Sequence, residues 1–413
     1  MNTREAIDRC VSCGFCLQSC PTYRLFLTEE SGPRGRIALA KAVLDGDVAP
    51  TAGNLATFAE CLGCRACETA CPSGVPYDEV RMFGREALRR VEGPPTLVAR
   101  AVLALVSSAR RLALARLLWR LGGRLLKVAG ILAGGRGAAA LLAVAPSPTP
   151  IPALPGEGAF DVAIHRGCLM EVFWPHTNAR AAILLAEAGK RVGRLPQGTG
   201  CCGALHAHQG DRKTARRLAR HTIEAFEASG ARQLVSLAGG CGAFIKGYPE
   251  LFAGDARWHE RGRATAEAVS DVATLLAGRA HAWPRGGERV TYQDSCHLRH
   301  GQGVADEPRG LIAEVADYVE MPGAASCCGS AGIYNIVRPD VATSLLAGKV
   351  EDLKATGATT LVVTNPGCEL QMRLAVKRWN GATQVRHLVD FLYERRRQAP
   401  ASGDPAALEV SPP

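Results

Sequence analysis

Two stretches of the chain read CVSCGFCLQSCP and CLGCRACETACP. They place Cys10, Cys13, Cys16 and Cys20 before Pro21, and Cys61, Cys64, Cys67 and Cys71 before Pro72. Each has the spacing C-x2-C-x2-C-x3-C-P. A loop so spaced can curl three thiolates around one face of an iron–sulfur cube. The fourth corner must be reached from another direction, and the proline turns the chain away. The spacing predicts two [4Fe-4S] clusters with crossed ligation: Cys10, Cys13, Cys16 and Cys71 around one, and Cys61, Cys64, Cys67 and Cys20 around the other. Pairs of C-x2-C also suit tetrahedral zinc, but two complete runs that both end in proline favour cubanes. Arg34 and Arg36 follow the first run. They are either cations that favour a reduced, more negative cluster or a surface pair, and the sequence leaves both open.

A second kind of cysteine site recurs. GTGCCGALH sets Cys201 beside Cys202, and SCCGSAG sets Cys327 beside Cys328. Each pair lies between two single cysteines. Cys168 precedes Cys201 by 33 positions and Cys296 precedes Cys327 by 31; Cys241 follows Cys202 by 39 and Cys368 follows Cys328 by 40. The third part of the chain is therefore an internal duplication. Adjacent thiolates could grip one iron–sulfur cluster, with Gly203 and Gly329 giving the backbone room beside the sulfide. A vicinal disulfide switch and a zinc or purely structural role are the alternatives. His165, His206, His208 and His297 lie near these cysteines and are candidate ligands or proton donors, although a lone histidine is more often a hydrogen-bonding group. Asp294 flanks Cys296.

These sites need elements to hold them. GPRGRIALAKAVLDG, between the two runs, has a helical apolar face of Ile37, Leu39, Ala40, Val43 and Leu44. In the duplicated part, DVAIHRG, LVSLAGG, VTYQDS and LVVTNPG are short β-rich runs that each lead to a cysteine. RKTARRLARHTIEAFEAS and PDVATSLLAGKVEDLKAT occupy equivalent places and read as helices. Alternation of this kind implies parallel sheets flanked by helices, with sites beyond the carboxyl ends of the strands. Each half's four cysteines should converge there. The fold class expected is mixed α+β: an N-terminal α-helical domain, residues 1–95; a helical connector and Pro-rich linker, 96–158; two α/β cysteine-rich domains, 159–285 and 286–397; and a disordered tail, 398–413.

Composition narrows the function. Sixteen cysteines in 413 residues would suit a secreted disulfide protein, but MNTREAIDRC has no apolar export signal. A reducing, cytoplasmic compartment is expected, where clustered cysteines bind metal or do redox chemistry. A net charge of +10 admits an acidic protein, an anionic membrane or nucleic acid. No nucleic-acid motif accompanies it, so no nucleic-acid partner is expected. The Leu- and Arg-rich stretch from Thr96 to Val144 is interrupted too often by arginine to span a membrane. It reads as a connector packed on its neighbours, with peripheral contact at the inner membrane as the alternative. The chain has no G-x-G-x-x-G after a strand, so it is not expected to hold FAD.

From Cys10 to about Phe391 the layout resembles the iron–sulfur subunit family of glycolate oxidase (glycolate dehydrogenase). CVSCGFCLQSCPTY and SGPRGRI are the most family-like segments. The resemblance implies an α-helical ferredoxin of the succinate dehydrogenase and heterodisulfide reductase type, joined to two CCG domains. It implies electron transfer from separate FAD-binding subunits that oxidise glycolate, through this chain's clusters, to a quinone or other acceptor. The cofactors implied are two [4Fe-4S] clusters, with a further iron–sulfur cluster open at the CCG sites. Heterodisulfide reductase has C-x2-C in its third CCG element, whereas this chain has GGCGAF and NPGCEL, four cysteines per half. A thiol–disulfide reductase of that type, or the iron–sulfur subunit of a lactate or glycerol-3-phosphate dehydrogenase, is the alternative.

Overall fold

The computed structural model describes residues 3–93, 95–132, 137–153, 159–195 and 200–398. Gly198 and Thr199, residues 154–158 of the linker and the tail from 399 onward lie outside the described residues.

The N-terminal part is helical. Its core is Ile37, Ala40, Leu55, Phe58, Val80 and Leu88, drawn from helices Pro33–Asp45, Ala52–Glu60 and Tyr77–Glu92. Of the apolar face expected between the cysteine runs, Ile37 and Ala40 are buried and Leu39 and Val43 partly so. Leu44 points to solvent; the helix ends at the next residue, Asp45, and Gly46 takes a left-handed cap.

The cysteine-rich part forms two four-stranded parallel sheets. The first runs in the order β2-β1-β3-β4, from β1 (Val162–His165), β2 (Val192–Arg194), β3 (Gln233–Ser236) and β4 (Val269–Asp271). The second repeats it as β6-β5-β7-β8, from β5 (Arg289–Tyr292), β6 (Asp317–Tyr318), β7 (Thr360–Val363) and β8 (Gln384–His387). Every pairing is parallel. The inner strands β1 and β7 are buried along their whole length, and VAIH and TLVV accordingly read as near-continuous apolar runs, broken only by His165 and Thr360, rather than as alternation. Helices Arg212–Ser229 and Pro339–Thr356 hold equivalent positions before β3 and β7. Asp211 caps the first by accepting from the Thr214 amide, and Pro339 opens the second.

The two halves share one core. Ile164 and Val235 of the first sheet belong to the same cluster as Val290, Tyr292 and Val362 of the second. Polar contacts lock the seam: Trp174 Nε1 donates to Glu369 at 3.0 Å, Thr177 Oγ1 donates to Asp390 at 2.7 Å, and His387 Nε2 meets the Leu237 carbonyl at 2.8 Å. Three connector helices, Leu97–Val106, Ala109–Leu132 and Gly137–Val144, join the N-terminal part to the first half.

Candidate functional site

The two N-terminal cysteine loops share a backbone device. Ser12 and Gly14 in the first loop, and Gly63 and Arg65 in the second, take left-handed conformations two and four residues after the leading cysteine. The alternation curls each loop so that its thiols face inward. Cys10, Cys13, Cys16 and Cys71 line one cavity with Arg34. Cys20, Cys61, Cys64 and Cys67 line a second with Arg36 and Arg81. Cys67 also touches the wall of the first cavity, but the thiols that act on it are Cys64, Cys61 and Cys20. The fourth cysteine of each run thus sits with the other run's first three.

These cavities fit an iron–sulfur cluster by their donor chemistry. Burial pushes the thiols of Cys64 and Cys67 well above the ordinary range, and that of Cys16 to about 11. Thiolates there need a bound cation to exist at neutral pH. Donors that would support sulfur already surround them. The Gly63 amide lies 3.4 Å from Cys61 Sγ, the Val75 amide 3.5 Å from Cys71 Sγ, and Thr22 Oγ1 3.3 Å from Cys20 Sγ.

The arginines part company. Arg34 is half-exposed, pairs with Glu29 and donates to the Ser12 carbonyl at 3.0 Å. Arg36 is fully buried, donates to the Thr57 carbonyl at 2.9 Å and to Thr22 Oγ1 at 3.2 Å, and faces Glu60 at 3.6 Å. Burial opposes its charge, but Tyr77, Cys61 and Cys20 outweigh burial and hold it protonated. Arg36 is therefore not a surface residue. Arg81, 3% exposed, is a second buried cation at this cavity that the sequence did not single out; nothing about its context in a plain helix marks it.

In the duplicated part the thiols form two chains of contacts. Cys168 meets Cys201, Cys201 meets Cys202, and Cys202 meets Cys241. Cys296, Cys327, Cys328 and Cys368 repeat the arrangement. The expectation was one convergence per half. The structure adds that both quartets open onto a single cavity of about 90 Å³ at the seam. The loops carrying Cys241 and Cys368 interlock there, with the Gly239 amide bonded to the Thr364 carbonyl at 3.2 Å and the Gly240 amide to Asn365 Oδ1 at 3.2 Å. No disulfide joins any of the sixteen cysteines. Among the described residues no three His, Cys, Asp or Glu side chains form a single-ion site.

The glycine of each CCG turn has a reason that the sequence does not show. Gly203 has φ +102° and Gly329 +85°, and a Cβ on either would stand 2.9 Å from a helix carbonyl, that of Ala215 or Ala342. The room is needed against the following helix. The histidines also divide. His206 bonds Asp211 and the Leu103 carbonyl at 3.1 and 3.2 Å, a structural pairing. His165 is buried at the end of β1, and burial lowers its pKa to about 4. His208 and His297 both line the shared cavity with ring centroids 5.4 Å apart, and burial lowers both. Asp294 does not face the thiols. It is held by Arg309 at 2.8 Å and Arg299 at 3.2 Å.

The N-terminal and duplicated sites adjoin. Leu62 and Cys64 pack in one cluster with Cys327, with Cys296 against it, and Leu62 also lines the shared cavity. His297 Nε2 reaches the Gly63 carbonyl at 2.7 Å. No sequence signal marks this contact, because the partners lie more than two hundred positions apart.

Comparison with known proteins bears on this arrangement. Residues 6–75 match the model of the 4Fe-4S dicluster domain, and residues 162–246 and 290–373 each match that of the cysteine-rich domain. A probable glycolate oxidase iron-sulfur subunit of Bacillus subtilis is 38% identical over 93% of both chains. The chain belongs to the glycolate oxidase iron–sulfur subunit family. The Escherichia coli glycolate oxidase iron-sulfur subunit is 32% identical, over 93% of this chain and 92% of its own. Lactate utilization protein A 2 of Bacillus cereus is 26% identical and covers 56% of this chain. A crystal structure of a hypothetical protein from Helicobacter pylori shares the fold, with a TM-score of 0.54 over 95% of this chain and 72% of that one at 9% identity. Family membership makes this an iron–sulfur chain with an electron-transfer role.

Proposed function

We propose that this chain carries electrons from FAD-binding partner subunits, which oxidise glycolate or a related 2-hydroxy acid, to a quinone or other acceptor. Cys10, Cys13, Cys16 and Cys71 hold one [4Fe-4S] cluster, and Cys20, Cys61, Cys64 and Cys67 the other. Each quartet of the duplicated part, Cys168, Cys201, Cys202 and Cys241, and Cys296, Cys327, Cys328 and Cys368, is a further cluster site. Clusters in these positions would accept and pass single electrons. The protein binds them through its thiols, excludes water with Leu62, Leu169, Met170 and Leu205, and sets the buried guanidinium of Arg36 beside the second N-terminal site. Such a cation favours the reduced, more negative state. The chain lies in the cytoplasm, in contact with the inner membrane.

The observation that carries this reading is the adjacency of the sites: Cys64 packs on the second quartet, and the two quartets share one cavity. The test is reconstitution. The isolated chain should not oxidise glycolate with an artificial dye, and activity should appear when FAD-bearing subunits are added. Flavin-dependent turnover by the isolated chain would contradict the reading.

A further inference from the structure

The Ala109–Leu132 helix packs by one face only. Leu112 and Trp119 are buried, and Trp119 meets Phe173 edge-on at 4.8 Å. Gly130 lets the helix approach the Gly137–Val144 helix, since a Cβ there would lie 2.7 Å from the Ala139 carbonyl. The opposite face carries Leu114, Leu117, Leu118, Leu121, Leu125, Val128 and Ile131, all more than half exposed. Leu121 and Leu125 reach 77% and 76%, as does Leu97 of the preceding helix at 77%. Their spacing of three and four residues makes one stripe, about 27 Å long at 1.5 Å per residue. Exposed Arg111, Arg120 and Arg124 flank it. Between Glu92 and Glu157 the sequence has eight Arg or Lys and no Asp or Glu.

We propose that this face docks the chain on an anionic lipid bilayer. A stripe of aliphatic side chains edged by arginines, with no acid, matches the chemistry of a lipid surface. The leucines enter the acyl boundary while the guanidinium groups reach back to the headgroups. The stripe offers no aromatic anchor of the kind that concentrates energy at a protein interface. No helix among the described residues is long and apolar enough to cross a membrane, so the helix lies in the interface plane. The buried side of the same helix rests on the first cysteine-rich half. It packs on the Cys168–Phe173 helix, and Leu112 Cδ1 stands 2.5 Å from where a Cβ on Gly200, the neighbour of Cys201, would be. Docking by this helix therefore brings the first quartet toward the membrane. A lipid-soluble acceptor would meet it there. That last step rests on the electron-carrier reading; the docking does not.

The test uses the full chain, purified anaerobically with its iron, in flotation with two kinds of vesicle. One is phosphatidylcholine alone, and the other contains phosphatidylglycerol. Wild type should float with the anionic vesicles and lose most of this binding in high salt. The variant L117D/L121D/L125D should bind them at least tenfold more weakly while keeping wild-type iron content and reduction by dithionite. If it loses iron, the exposed pair R120Q/R124Q serves instead, with roughly tenfold weaker binding expected to anionic vesicles. Absence of wild-type binding, or unchanged binding by the variant that retains iron, would overturn the proposal. So would loss of flavoprotein association, or of a wild-type dimer, in a variant whose parent does not bind vesicles, because the face would then be a protein interface. Iron content and reduction by dithionite report on the cluster sites separately.

Discussion

The two cysteine-rich halves have the same strand order, the same chain of four thiols and the same strained glycine, yet different neighbours. The second quartet is pressed against the second N-terminal cysteine loop through Leu62, Cys64 and His297. The first rests on the Ala109–Leu132 helix of the connector through the Cys168–Phe173 helix and Leu112, while the connector's other two helices pack on the second half. Duplication supplied two equivalent sites, and if they carry electrons as proposed, this packing makes the second the entrance and the first the exit. This difference predicts an order: N-terminal sites, second half, first half, acceptor.

The largest expected effects test that order. Cys327→Ala with Cys328→Ala should abolish acceptor reduction by the assembled enzyme while both N-terminal clusters persist, since alanine offers iron no donor. Cys201→Ala with Cys202→Ala should abolish it too, but with the second half still reduced by substrate. Rapid-freeze EPR after mixing with glycolate distinguishes the two. First-half reduction in the Cys327/Cys328 variant would reverse the order. Full activity in both variants would reduce the pairs to packing residues.

Next in size is Cys20→Ser. Crossed ligation predicts loss of the cluster site built on Cys61, Cys64 and Cys67, about four irons per chain. EPR showing the Cys10-side cluster lost and the other intact would refute the crossing.

Smaller effects compare the halves as folds. Gly329→Ala and Gly203→Ala should each cost about 1–2 kcal/mol for the left-handed backbone, with more for the carbonyl contact. Denaturant unfolding should show both destabilised alike; a neutral Gly203 variant would break the equivalence. The strand ends differ instead. Asp271 caps the helix after β4 by accepting from the Ala273 amide, and His387 does the same for Val389 after β8. Burial raises Asp271 to about 7. The folded state then holds a proton that the unfolded chain releases near pH 4, so this group's contribution to stability falls as pH rises from about 4 to 7. Asp271→Asn should flatten stability in that window, and a slope unchanged from wild type would show that Asp271 titrates normally.

Much of this was legible in the sequence because ligand chemistry fixes spacing. The two C-x2-C-x2-C-x3-C-P runs dictated which thiols would meet, and the structure groups them in that way. The duplication, the parallel strands and the helix at Arg212–Ser229 followed from cysteine spacing and apolar period. The contact that the CCG glycine makes with a carbonyl on the next helix did not, because it is tertiary. Nor did the shared cavity, since periodicity describes each half and is silent on how two halves face each other. Arg36 could be read as surface or buried until its partners Thr57 and Thr22 were placed. The connector was expected to pack on its neighbours, and Leu112 and Trp119 do. A run of leucines alone does not tell which of them turn outward.

The central claim is that the cysteine-rich quartets continue the line of cluster sites begun by the N-terminal domain. Iron and acid-labile sulfide analysis with EPR, on the anaerobically purified chain beside its Cys327→Ala/Cys328→Ala variant, tests it most directly. The account predicts more than about eight irons per wild-type chain, with the excess and one EPR signal diminished in the variant. About eight irons in both, with identical spectra, would contradict it.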